Sequence, residues 1–261
     1  MRRVLLAVAL GLSLVASGCT NPLAPPGDGT TPGARAGDYL RATPYTSILV
    51  ELDLVTGAEP EGSALSLFQQ RLQTETGKSV EIVRTPGLPG QGSGHRYTAS
   101  ELQQLETSHR AQFSQGNRAV IYIMYLDGGF ERDTDDQKVL GAAYRGSALA
   151  MFKGNMRAYS KQSALDLQKP DIAQLEQSVL VHELGHLLGL VNIGAPMQTN
   201  HEDPEHPGHS TNRNSVMYWE VEQVSLVGTV LGQAPPDDFD SNDKADLQAM
   251  RRGGAEANQQ A

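Results

Sequence analysis

Residues 182–189 read His-Glu-Leu-Gly-His-Leu-Leu-Gly, within the apolar stretch Val179–Val191. On a helix, residues four apart share a face, so His182 and His186 project side by side and can grip one ion together. Glu183 follows about 100° round, near enough to act on a water at that ion without ligating it. Upstream, Ile172, Leu175 and Val179 continue the histidine face, and Pro170 and Asp171 precede the pattern. The spacing predicts a helix over 171–188 that is apolar nearly all round from Val179 onward, hence buried. A dry surround strengthens the field of any cation held there.

Working outward, the N-terminal side alternates strands and helices. Residues 45–55 and 79–84 are β-branched and apolar, and residues 118–126, RAVIYIMYL, form a near-continuous apolar run. These read as strands, the last one buried. Residues 63–76 form a helix ended by Gly77, and Ser100 is expected to cap a second helix reaching about Phe113. Residues 127–138 form an acidic loop. Residues 148–152 form a strand, with 141–144 leading into it. Beyond the histidine helix come a long loop over 189–216 and a final helix over 241–251. This order implies an α/β fold: a mixed, mainly parallel twisted sheet with a buried active-site helix and a C-terminal helix. One domain over 45–252 accounts for it, with 253–261 as a disordered tail.

Zinc needs a third protein ligand and keeps its fourth position for water in catalytic sites. The histidines crowd here: five of the seven fall between His182 and His209. Three of them, His201, His206 and His209, compete for the role. Residues 209–218 read His-Ser-Thr-Asn-Arg-Asn-Ser-Val-Met-Tyr.

These stretches resemble the metzincin metalloproteases, whose helix motif continues as x-x-Gly-x-x-His before a methionine turn. Gly189 matches, but Asn192 stands where the pattern has histidine. The segment from His209 to Met217 and Tyr218 is similar to the end of the matrixin motif. The resemblance therefore implies a third ligand at His209, displaced by a 17-residue insert over 192–208 that is rich in turn formers. His201 and His206 lie in that insert as the alternative third ligands. The resemblance also implies a hydrophobic base at Met217, a possible substrate-pocket role for Tyr218, and an antiparallel edge strand over 141–152 for an extended peptide.

The single cysteine excludes a disulfide framework and any zinc site with two cysteine ligands. It is Cys19, after Arg2, Arg3, an apolar run over 4–15 and small residues 16–18, which resembles a bacterial lipoprotein signal. Residues 1–18 are then a signal peptide, Cys19 carries lipid, and 19–44 is a flexible Pro/Gly tether. The expected location is the bacterial cell envelope, lipid-anchored at the outer membrane or cell surface. Net charge is 21 − 30 = −9 with no basic run, which excludes nucleic acid. Asp237, Asp238, Asp240 and Asp243 lack an EF-hand pattern and read as capping residues for the last helix.

The function implied is a zinc-dependent endopeptidase acting on a protein or peptide substrate, with His182, His186 and His209 on Zn2+ and Glu183 as general base. The alternative is a catalytically inactive, lipid-anchored zinc-binding or envelope interaction protein with the same fold. A third option, a peptidase using Glu202 or Glu205 as the third ligand, needs a second helix that Pro204 and Pro207 disfavour.

Overall fold

Strand β4 (Arg118–Leu126) is buried along all but its first residue, as its apolar run demands of a strand covered on both faces. A computed structural model describes residues 31–85, 87–162, 171–225 and 234–259. The expected signal peptide and Cys19 lie outside the described residues.

In chain order the elements are α1 (Ala36–Leu40), β1 (Ser47–Leu54), α2 (Gly62–Thr76), β2 (Ser79–Arg84), β3 (Arg96–Tyr97) and α3 (Ala99–His109), ahead of β4. Then come β5 (Gly129–Phe130), β6 (Gln137–Val139), β7 (Gly141–Tyr144), β8 (Ala148–Phe152), α4 (Lys153–Gln162), α5 (Ile172–Leu187), β9 (Gln223–Ser225) and α6 (Ser241–Gln259). The main sheet runs β2-β1-β4-β8-β7. Its first four strands are parallel, and β7 turns back antiparallel on β8 to form one edge. This is the mixed, mainly parallel α/β fold expected from the alternating elements. Helix α5 packs on α2 and against β7 and β8, which sets its histidine face beside the antiparallel edge. No helix of the described residues is long and apolar enough to cross a membrane.

Several boundaries differ from expectation. Helix α3 is capped by Thr98, not Ser100. Thr98 accepts from the Glu101 amide and the Glu101 carboxylate takes the Thr98 amide, so two orphan donors are satisfied reciprocally. It stops at His109, short of Phe113, because the buried Glu51 carboxylate accepts from the Ala111 and Gln112 amides and draws the chain out of the helix. Helix α6 continues past 252 to Gln259, since glycine lowers helix stability without ending a helix whose backbone stays right-handed. Helix α4 was not expected. Its polar sequence buries Lys153, Asn155, Met156 and Tyr159 among the described residues.

The second half of the expected 19–44 tether also packs on the domain. Ala36, Tyr39 and Leu40 are buried, and the Tyr39 hydroxyl donates to the Gly146 carbonyl at 3.2 Å. Three apolar anchors suffice to hold a segment that composition marks as a linker. The domain thus begins before residue 45.

An ionic cluster fixes α5 in place. Lys153 is fully buried and pairs with Glu176 of α5, and also reaches Glu61 at 2.9 Å. Glu176 also accepts from the Tyr125 hydroxyl at 3.0 Å and the Glu61 amide at 2.9 Å. Burial outweighs these partners and holds the Glu176 carboxyl above its ordinary range. Removing one partner of such a pair strands a buried charge, at about 3–5 kcal/mol. Lys153→Met is therefore expected to lower the urea unfolding free energy by that amount, and Lys153→Met/Glu176→Gln to recover more than half. Equal losses in the single and double variants would show that the pair does not anchor α5.

Candidate active site

Helix α5 starts at Asp171, whose side chain accepts from the Gln174 amide at 2.8 Å, and is continuously buried from Ser178 to Leu187. His182 and His186 lie on one face, with their Nε2 atoms 3.0 Å apart. His182 Nδ1 lies 2.6 Å from the Val216 carbonyl and must donate to it. In a neutral ring this leaves Nε2 as a lone-pair donor to a metal, the usual outer contact of a ligating histidine.

The chain leaves α5 through Gly189 at φ 80°, then passes through left-handed Val191 and Asn192. Asn192 does not turn toward the histidines; its amide donates to Glu202 at 3.0 Å. The loop folds back so that the Ser210 amide donates to the Met217 carbonyl at 2.8 Å, and His209 arrives beside the helix. Its ring centroid lies 5.2 Å from that of His182 and 5.0 Å from that of His186. Met217 is fully buried beneath them. A Cβ on Gly185 would fall far inside van der Waals contact distance of Met217 Sδ, so only glycine lets the methionine sit this close to the helix.

A fourth group completes the cluster. Glu222, set by a 3-10 turn over Trp219–Val221, places Oε1 3.7 Å from His209 Nε2. Its Oε2 lies 3.8 Å from His182 Nε2 and 3.9 Å from His186 Nε2. Ligands about 2.0–2.1 Å from a tetrahedral zinc stand roughly 3.3–3.4 Å from one another, so these donors fit such an ion. Both His209 ring nitrogens are buried without a hydrogen-bond partner, a costly state that ligation would relieve. Sequence reasoning missed Glu222, because nothing but the turn distinguishes it from Glu220.

Electrostatics follow the burial. His182 is lowered to about 4 by burial and by His209, and His186 lies well below its usual value for the same reasons, so both rings are neutral. Burial also pushes His209 down, but Glu222 outweighs it and the net direction is up. Burial and the Glu222 charge raise the Glu183 carboxyl well above its ordinary range.

Glu183 Oε2 accepts from the Ala143 amide of β7 at 2.6 Å, and its Oε1 is buried with no hydrogen-bond partner. Gly141 leaves room for it: a Cβ there would lie 2.7 Å from Oε1. The glutamate is thus wedged between the histidine face and the sheet edge. A cleft of about 530 Å³ opens here, lined by Ala142, Ala143, His186, His209, Trp219 and Glu222 among others.

The other sequence candidates go elsewhere. His206 lines the cleft but stacks flat on Trp219 at 4.3 Å and pairs with Asp203 at 2.8 Å. His201 is buried against α6, with Nε2 3.0 Å from Asp246. Tyr218 lies outside the cleft lining, with Arg213 over its ring at 5.6 Å, and Trp219 forms the wall in its place.

No family model matches the chain, and no curated protein is similar in sequence. Among solved structures, the chain is similar to an archaemetzincin from Methanopyrus kandleri, at 18% identity over 78% of this chain and 96% of that one, with a TM-score of 0.49. It is also similar to a zinc-dependent peptidase from Methanocorpusculum labreanum, at 15% identity over 77% and 100%, with a TM-score of 0.44. An archaemetzincin from Archaeoglobus fulgidus, crystallised with malonate, gives 14% identity over 77% and 99%, with a TM-score of 0.39.

The Gly185–Met217 contact can be probed directly. Overpacking a tight site costs about 1–3 kcal/mol. Gly185→Ala is expected to lose that much in thermal unfolding, and Gly185→Ala/Met217→Ala to lose less than the sum of the two single changes. Strict additivity would mean that the two residues do not meet.

Proposed function

We propose that the chain is a zinc-dependent endopeptidase, with His182, His186 and His209 as the metal ligands and Glu183 as the general base. The carrying observation is the convergence of two buried imidazoles and a half-buried third beside a carboxylate at the mouth of one cleft. A zinc ion in this cage supplies Lewis-acid chemistry, polarising a carbonyl and making a water nucleophilic at neutral pH.

The chain's own groups do the rest. Strand β7 is the antiparallel edge of the main sheet, and its Ala142 and Ala143 border the cleft. An extended peptide laid along that edge is held by backbone hydrogen bonds and brings a carbonyl to the histidine cluster. Glu183, kept in place by the Ala143 amide, takes a proton from the attacking water on its unpartnered Oε1. It then delivers that proton to the departing amide nitrogen. Met217 supports the histidines from below, and Trp219 with His206 forms one cleft wall.

The second reading, a metal-holding protein without turnover, is favoured by Glu222. Its carboxylate lies against all three histidines and offers a fourth protein donor, as structural zinc sites have. Glu183 weighs against it, because a purely structural site has no use for a buried carboxylate with one oxygen left unpartnered.

We further propose export and lipid anchoring at Cys19, supported by Arg2, Arg3 and the apolar run before it. Expressed in a bacterium, the full chain is expected to take up radiolabelled palmitate and fractionate with membranes, and Cys19→Ser to do neither. Equal labelling of both forms would refute the anchor.

Peptidase function is tested with zinc-loaded full chain on casein. The wild type is expected to cleave, and Glu183→Gln to retain its zinc and lose at least about 10²-fold in rate, the lower end of a general-base contribution. A wild type that binds zinc and cleaves nothing would favour the second reading. A Glu183→Gln variant as fast as the wild type would falsify the base assignment.

A further inference from the structure

A second cluster lies away from the cleft, where the insert meets α6. His201 is 4% exposed, and Asp243 and Asp246 are fully buried. The Asp246 carboxylate accepts from His201 Nε2 at 3.0 Å, which makes Nε2 the protonated nitrogen and leaves Nδ1 as a bare lone pair. That lone pair faces Asp243 Oδ1 at 3.7 Å. Both atoms are buried and neither has a hydrogen-bond partner.

Two buried acceptors facing each other need something positive between them. A proton on His201 Nδ1 does not answer, since 3.7 Å is too long for an N–H···O bond. A cation does. Two bonds of about 2.1 Å at roughly 120° place their donors about 3.6 Å apart. Asp240 adds a third carboxylate: one donor atom from each of His201, Asp240 and Asp243 lies within 4.8 Å of the other two.

The carboxylates are held in place by neighbours. Asp243 Oδ2 accepts from the Ser215 hydroxyl at 2.6 Å and the Asp240 amide at 3.0 Å. Asp240 Oδ2 accepts from the Asn212 side chain at 2.7 Å. Asp240 also caps α6 by accepting from the Asn242 and Asp243 amides at 2.7 and 2.9 Å, the role its position before a helix implies. Capping explains Asp240 alone; it leaves the His201–Asp243 pair unaccounted for.

We propose that His201 Nδ1, Asp243 and Asp240 form a second metal site, structural in role, that holds a divalent cation of the zinc class. An imidazole with carboxylates suits first-row metals, whereas calcium takes six to eight oxygens at longer distance. Asp246 orients the histidine from behind, as outer carboxylates do for ligating imidazoles. The cation ties the loop over 192–208 to α6, and that loop ends at His209. The site stands on its own observations and does not depend on peptidase activity.

The test is zinc stoichiometry of the folded full chain, by elemental analysis after zinc loading and desalting, with circular dichroism as the folding control. The wild type is expected to hold two equivalents, His182→Ala/His186→Ala one, and His201→Gln/Asp243→Asn one. The last pair is also expected to lose the second of two transitions in a chelator titration of the wild type. If the wild type holds one equivalent and His182→Ala/His186→Ala holds none, the second site does not exist. That arm decides even if the His201 variant fails to fold.

Discussion

The hydrogen bond from His182 Nδ1 to the Val216 carbonyl joins the two halves of the site. It orients the imidazole on α5, and it fixes the segment whose next residue, Met217, sits under the helix at Gly185. A helix can offer two histidines to one ion by its own periodicity, but never three in a closed arrangement. The third must come from elsewhere in the chain, and the Val216–Met217 turn docks against α5 at the point where His209 can reach it. The Ser210 amide, bonded to the Met217 carbonyl, transmits that docking to the preceding histidine.

The main sheet sets the other wall. Because β7 runs antiparallel at the edge, its backbone faces both the cleft and Glu183. The Ala143 amide therefore holds the carboxylate that stands beside the histidines. Gly141, one turn of the pleat away, gives that carboxylate space. Crowding three imidazoles and two glutamates into one largely dry pocket is expensive without compensation. The shifted protonation of His182, His186 and Glu183 and the unpartnered nitrogens of His209 mark where compensation is owed.

The histidine helix was legible because its signal is local: two histidines four apart in an apolar run permit little else. The alternation of strands and helices gave the sheet for the same reason. His209 was singled out from His201 and His206 by the resemblance of 209–218 to the end of the matrixin motif, whose interval from histidine to methionine is unaffected by an insert placed before it. Glu222 was not legible, since a 3-10 turn and a bond from the Leu140 amide to its carbonyl decide where it points. The acidic residues before α6 were visible, but His201 joins them only by tertiary folding, 39 positions before Asp240 (240 − 201 = 39). Helices α1 and α4 escaped notice because each buries only a few side chains against a background of polar or turn-forming residues.

Diffraction from crystals of the zinc-loaded full chain, recorded at the zinc absorption edge, bears most directly on the site. An anomalous peak within bonding distance of Nε2 of His182, His186 and His209 is the result expected from their convergence. An absence of zinc at that point, or a peak there bonded to Asn192 or His206 in place of His209, would contradict it.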